Sequence, residues 1–349
     1  MAGRVFAWLI PVALIVIGFL LSHRHLQHAL LTYLACWLFV LAVTLGSVSL
    51  LLIHALTGGG WGDCLRAEWL AAARLFPWVA VAAIPLLLGM HTLFPWLQAD
   101  VARIDPDIAR QCWYLNATGL WCRTLIDFLL WYGIVRMLLR RDAQISAGFA
   151  AGSLLLMVIT VSVLAVDWVM SLVPRWHSTD IGLLVFSSQL LVAFALSTGI
   201  WLGRQPASGT RLHRDFGSLL LAMVLGWAYV SFMDYLTAWV ADQPSETAWY
   251  LPRVTTDWQG VAIALVILGL VIPFFTLLSG RAKSSARVLI VIAAVTFLAQ
   301  GINTAWLILP GVMAKGTAPA WSDLFLCAGL LGLCAMRYRV LLITERQTA

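Results

Sequence analysis

Stretches of 17 to 26 mostly apolar residues recur along the whole 349-residue chain. Each is long enough to cross a hydrocarbon core about 30 Å thick as a helix. In hydrocarbon every backbone N–H and C=O must be paired within the protein, so only helices and closed barrels can span. Only 11% of the residues are charged and 62% are hydrophobic, about half the charge fraction of an average soluble domain. A water-soluble enzyme is therefore excluded.

The apolar runs fall at 5–21, 29–53, 75–94, 119–139, 147–172, 181–203, 216–240, 258–279, 286–308 and 321–342, which predicts ten transmembrane helices. An even number puts both termini on one side. Fifteen of the 22 basic residues lie on that side. Arg24, Arg103, Arg110, Arg175, Arg253 and Lys315 lie opposite, and Arg123 lies inside span 4. The positive-inside rule makes both termini cytoplasmic. The outward loops carry Trp113, Tyr114, Trp176, Trp249, Tyr250 and Trp258, as an interfacial aromatic belt would, together with Asp100, Asp105, Asp107, Asp242, Glu246 and Asp257. The run after Arg4 ends at Ser22-His23-Arg24-His25 without a small-x-small cleavage site, so it reads as a retained first helix.

Several classes drop out. The net charge of +6 is spread over short loops, so no nucleic-acid footprint is present. Cys36, Cys64, Cys112, Cys122, Cys327 and Cys334 form no Cys-x-x-Cys or Cys-x-x-Cys-His, which leaves no metal ribbon, cysteine-ligated cluster or covalent haem c. Haem b needs facing axial histidines at similar depth, and His54 and His91 sit at opposite ends of their spans. Gly58-Gly59-Gly60 lacks the Lys and the strand context of a phosphate loop and reads as a turn. It leads into Trp61–Arg74, where Leu65, Trp69 and Ala72 recur at helical spacing opposite Arg66 and Glu68, the pattern of a helix lying in the membrane interface.

An ionisable group inside a span costs about 2.5–3.5 kcal/mol on insertion scales, so each needs a partner or a task. Arg123 and Asp127 are four apart on span 4, which places them on one face as a candidate ion pair, with a functional acid as the alternative; Asp127 lies about 12 Å below the outer end. Asp167 and Asp234 lie near the outer ends of spans 5 and 7, where water can also reach them. With His91, His177, Gln189, Gln300 and Asn303 they form an outward-biased polar set. Such a set fits a quinol head-group site, a proton path or a buried interface with a partner subunit. A faint echo, Trp113-Tyr114-Leu115 before span 4 and Trp249-Tyr250-Leu251 before span 8, relates spans four apart. It hints at two four-helix units (29–180 and 181–315) flanked by a first helix (1–28) and a last helix with a short tail (316–349). Such a repeat is parallel, whereas inverted repeats and midplane charges mark secondary transporters.

Three stretches resemble one family. Asp167-Trp168-Val169-Met170-Ser171-Leu172-Val173-Pro174-Arg175-Trp176-His177-Ser178-Thr179 is similar to the motif Asp-Trp-x-Met-Ser-Leu-x-Pro-x-Trp-x-Ser-Thr of the ActF-type integral membrane subunit of alternative complex III, within the NrfD-like group. His54-Ala55-Leu56-Thr57-Gly58-Gly59-Gly60-Trp61-Gly62, with Arg66 and Pro85-Leu86-Leu87-Leu88-Gly89, is the second. Pro244-Ser245-Glu246-Thr247-Ala248-Trp249-Tyr250, followed by Arg253, Trp258, Ile272-Pro273-Phe274 and Lys283, is the third, with Ser245 where the family has an acid. The resemblance implies two four-helix bundles with flanking helices in a bacterial inner membrane. It implies a cofactor-free accessory subunit of a respiratory quinol oxidoreductase, serving proton conduction or scaffolding with quinol bound nearby. Its partners would be a quinol-binding NrfD-like homologue, iron–sulfur and haem c subunits, and a terminal oxidase. On this reading Asp127, Arg123, Asp167, Asp234 and His91 are the proton-path candidates. Trp168, Ser171, Pro174, Trp176, His54, Pro244, Glu246 and Arg253 are the motif and interface residues. As local devices, Pro174 ends span 5, Ser178 or Thr179 caps span 6, Trp168 and Trp176 anchor the turn in the interface, and Pro273 frees a carbonyl inside span 8.

Overall fold

The computed structural model describes residues 2–98, 106–140, 145–241, 243–312 and 321–348. Asp100, Arg103, Asp105, Arg141, Asp242, Lys315 and the boundary expected at 315/316 lie outside them. No strand occurs among the described residues, and the protein is an all-α integral membrane protein. Its long helices are α1 (Ala2–Leu21), α2 (Leu26–Thr57), α3 (Gly60–Ala73), α4 (Ala117–Leu138), α5 (Ala147–Trp168), α6 (Ile181–Arg204), α7 (Thr210–Ala241), α8 (Trp258–Leu278), α9 (Ala286–Val312) and α10 (Trp321–Thr348). Among the described residues, eight helical segments are long and apolar enough to cross a membrane, α3 counting together with its continuation to Leu88. The other two expected spans fall short of that measure. In α1 (Ala2–Leu21) the stretch so counted among the described residues is Trp8–Leu21, and α4 is diluted by Arg123, Asp127 and Arg136.

Helices α2 to α5 pack in a ring, α3 on α2, its continuation Phe76–Val81 on α4, α4 on α5 and α5 closing on α2, and α6 to α9 form a second ring in the same order. The rings join where α6 lies on α2 and α5, and where α9 lies on α2. Consequently α2 and α6 are buried on nearly all sides and are apolar all round, as central helices must be. Their contact is close because Gly46 has no side chain: a Cβ there would come within 2.0 Å of the Gln189 carbonyl oxygen. Outside the rings, α1 packs on α10, and α10 packs on α2 and α3.

Two spans are broken, and both breaks follow from proline. After α3 the chain continues as the short helices Phe76–Val81, Ile84–Leu88 and Met90–Leu93, with Pro77 and Pro85 unable to donate to the preceding turn. Tightened turns leave carbonyls unpaired within the apolar layer, and α2 satisfies them. The Trp37 indole donates to Val79 O at 2.8 Å and the Tyr33 hydroxyl to Ala82 O at 3.0 Å. In α8 a π-helical turn at Ile267–Val271 directly precedes Pro273 and accommodates its missing N–H.

Three local expectations need correction. The segment expected to lie in the interface, α3, is packed inside against α2, α6 and α10. Glu68, expected on its polar face, is 1% exposed and is held by Arg346 of α10. The spacing pattern could not reveal a partner near the far end of the chain. Trp168 and Trp176 are 1% and 2% exposed, so they are interior side chains and not interface anchors. Finally, Asp180 occupies the N-cap position of α6 without a side-chain cap. Ser178 instead accepts the Asp180 N–H at 3.2 Å and spends its own proton elsewhere.

Candidate functional site

The end of the molecule where α5 stops and α6 begins, the distal end, gathers the polar side chains. At this end α5 finishes at Asp167-Trp168, a 3₁₀ turn spans Met170–Leu172, and Pro174 stops the helical run. The Ser171 hydroxyl donates to the Asp167 carbonyl at 2.6 Å, satisfying one of the acceptors that a helix end orphans. The Trp168 indole donates to Thr124 Oγ1 of α4 at 3.3 Å and its ring packs against Trp37 and Phe94.

Arg123 reaches across from α4 and forks onto Asp167, Nε to Oδ2 at 2.7 Å and Nη2 to Oδ1 at 2.9 Å. Its third donor, Nη1, goes to the Tyr114 carbonyl at 3.0 Å, and the guanidinium lies 3.9 Å from the Tyr114 ring centroid. The expected Arg123–Asp127 pair is thus replaced. A carboxylate at a helix end can present both oxygens to the planar fork, which one on the same helix face cannot match. Asp127 is left buried in the middle of α4 with no hydrogen bond among the described residues, though the Arg123 charge acts on it. Burial, and then the Asp167 charge, push the Tyr114 phenol up to about 12.

A second cluster joins the two motif loops. Asp234 of α7 accepts the Ser178 hydroxyl through Oδ1 at 2.6 Å and the Tyr250 hydroxyl through Oδ2. Tyr250 belongs to the short helix Pro244–Val254, and burial together with the Asp234 carboxylate holds its phenol far above the usual range. The loops also meet ring on ring: Trp176 stacks on Trp249 with centroids 4.6 Å apart and planes 16° from parallel.

Beneath that stack lies Arg253, fully buried. It donates to the Trp249 carbonyl, to Trp306 O at 3.2 Å and to Leu307 O at 2.8 Å. Its guanidinium lies 3.4 Å from the Trp249 ring centroid and 5.3 Å from that of Trp306. The Trp306 carbonyl is open because Pro310, four residues on, has no N–H to return to it. No carboxylate pairs with Arg253 among the described residues, and burial pulls its affinity for the proton well below that of an ordinary arginine. In each half an arginine covers a ring and binds the carbonyl of one aromatic of the echoed triplet, but at different positions of it: Arg123 on Tyr114, the second residue, and Arg253 on Trp249, the first.

The other expected residues lie apart. His91 is exposed and makes no hydrogen bond among the described residues, so it joins neither cluster. His54 faces the glycine turn at the opposite end of α2: its Nε2 is 3.0 Å from Gly59 O, and the ring fills the space that a Cβ on Gly62 would need. Pro244 and Glu246 occupy the first turn of their helix, where a carboxylate suits the helix dipole. Ser188, Gln300 and Asn303 form a separate polar contact between α6 and α9. No group of three His, Cys, Asp or Glu side chains is gathered to hold a metal among the described residues. Ser178, Tyr250 and Trp306 are the contributors that spacing arguments missed. The first two were visible as motif members, and the third as the residue four before Pro310.

Comparison with models of known protein families and with curated proteins finds no match to this chain.

Proposed function

We propose that the chain is an ActF-type, NrfD-like membrane subunit of a respiratory quinol:electron acceptor oxidoreductase of the alternative complex III kind. It would sit in a bacterial inner membrane beside a quinol-binding homologue, iron–sulfur and haem c subunits, and a terminal oxidase. What carries the reading is the meeting of the two motif loops. Trp176 stacks on Trp249, while Ser178 and Tyr250 converge on Asp234. Residues that resemble the family thus form one unit at the end where extramembrane partners would dock.

Two roles are compatible with that unit. Asp167 and Asp234 are both fully engaged, which favours scaffolding: a satisfied buried network fixes geometry. Asp127 supports a proton relay, because a buried carboxylate without a hydrogen-bonded partner can exchange its proton at least cost to its neighbours. Affinity purification of the tagged chain tests the assembly: haem c, iron–sulfur and quinol-binding subunits should co-purify, and their absence removes the respiratory reading. Asp127→Asn then separates the roles. A relay predicts at least about a tenfold loss of quinol turnover or of coupled proton movement in an intact complex, and unchanged turnover leaves scaffolding alone.

A further inference from the structure

At the other end of the molecule a cavity of about 350 Å³ opens between α1, α2, α10 and the broken continuation of α3, a volume within the range of small-molecule sites. Its walls are apolar, with Ile15, Val81, Pro85, Leu330 and Leu333 among the lining residues. One mouth residue is charged. Arg337 of α10 lies over the Trp78 ring, 4.9 Å from its centroid, and Trp8 lies on the same cavity. Trp78 stands one turn beyond Arg74, and Arg337 stands nine residues before Arg346, at the end marked by the pairs Arg74–Glu345 and Arg346–Glu68. From that mouth the cavity runs inward, and Leu330, two turns from Arg337, lies about 10 Å along the helix axis.

Arg337 differs from its neighbours Arg74 and Arg346 in having no carboxylate partner among the described residues. Arg74 and Arg346 are each paired with a buried carboxylate, whereas Arg337 makes no ion pair among the described residues and its Nε is buried without a hydrogen-bond partner. Trp78 and Val81 leave the side of the cavity exposed on the membrane-facing surface, at 52% and 61%.

We propose that this cavity binds an anionic glycerophospholipid, with one acyl chain along the apolar walls and the phosphate on Arg337. An apolar slot topped by aromatic rings and an unspent guanidinium matches the lipid in sequence of depth: chain, interfacial glycerol, phosphate. A quinol fits the same walls but not the same polar group. Its hydroxyl oxygens can accept from a guanidinium but bring it no negative charge, and the one lining hydroxyl, Tyr33, is already given to Ala82 O. The inference does not depend on the respiratory reading.

Native mass spectrometry of the full chain, released from detergent with phosphatidylglycerol or phosphatidylcholine, tests it. Phosphatidylglycerol should be retained with about tenfold preference, the size of one charge-assisted contact. Arg337→Gln should abolish the preference, Arg337→Lys should keep most of it, and Leu333→Trp should lower retention of both lipids by filling the slot. Equal retention of the two lipids by the native chain overturns the proposal. So does displacement by inorganic phosphate alone, which would assign a free-anion site, or by a short-chain quinol. Should Arg337→Gln fail to fold, the lipid preference of the native chain and of Arg337→Lys still decides the outcome.

Discussion

Arg123 illustrates how a buried charge is placed by tertiary geometry in preference to local spacing. It had two carboxylates to choose from, and the structure gives it Asp167, where both oxygens meet the guanidinium fork. Arg123→Ala should therefore destabilise the protein by about 3–5 kcal/mol, because it strands Asp167 at 2% exposure. The double change Arg123→Ala with Asp167→Asn should recover a large part of that loss. Denaturation in detergent micelles, followed by tryptophan fluorescence, measures both, and a double variant no more stable than the single one would argue against the pair. Asp127 was legible in the sequence as a buried acid, but its isolation was not. The sequence displays which charges enter the membrane and at what depth, whereas which of them meet depends on helix rotation, and no spacing rule encodes that.

At the scale of the element, the long runs were readable because apolar length is itself the physical requirement for spanning. The expected 147–172 and 181–203 lie against observed helices Ala147–Trp168 and Ile181–Arg204. The failures cluster where an element depends on a distant one. The helix Gly60–Ala73 resembled a surface helix because Glu68 looked solvated, and its partner, Arg346, lies on the last helix. The indoles of Trp168, Trp176 and Trp249 looked interfacial because they lie at a span end or in outward loops, yet Trp168 buries against Trp37 of α2 and Trp176 against Trp249. Close helix contact is the other property of this scale. Gly46→Ala brings a methyl against the Gln189 carbonyl and should cost about 1–3 kcal/mol by forcing α2 and α6 apart. A lowered midpoint of thermal aggregation in detergent would register it, and an unchanged midpoint would show that the two helices can slide.

Across the whole molecule the number of crossings sets the side on which each terminus lies. Among the described residues, eight segments have the length and apolarity to span, and α1 and α4 decide the rest. With both inserted the termini lie on one side, whereas loss of either one puts them on opposite sides. Green fluorescent protein, which fluoresces only on the cytoplasmic side, should light up when fused to either terminus, and signal from one fusion alone would reduce the count to an odd number. The position of Arg253 adds a constraint of another kind, on the order in which the chain can be built. Of the three carbonyls that replace water on the guanidinium, the ribosome has not yet made those of Trp306 and Leu307 when Arg253 emerges. The loop around it must therefore wait, hydrated, until α9 is in the bilayer. Closure of the distal face is thereby coupled to completion of the second ring, so a chain arrested before Trp306 should leave this face open to proteases.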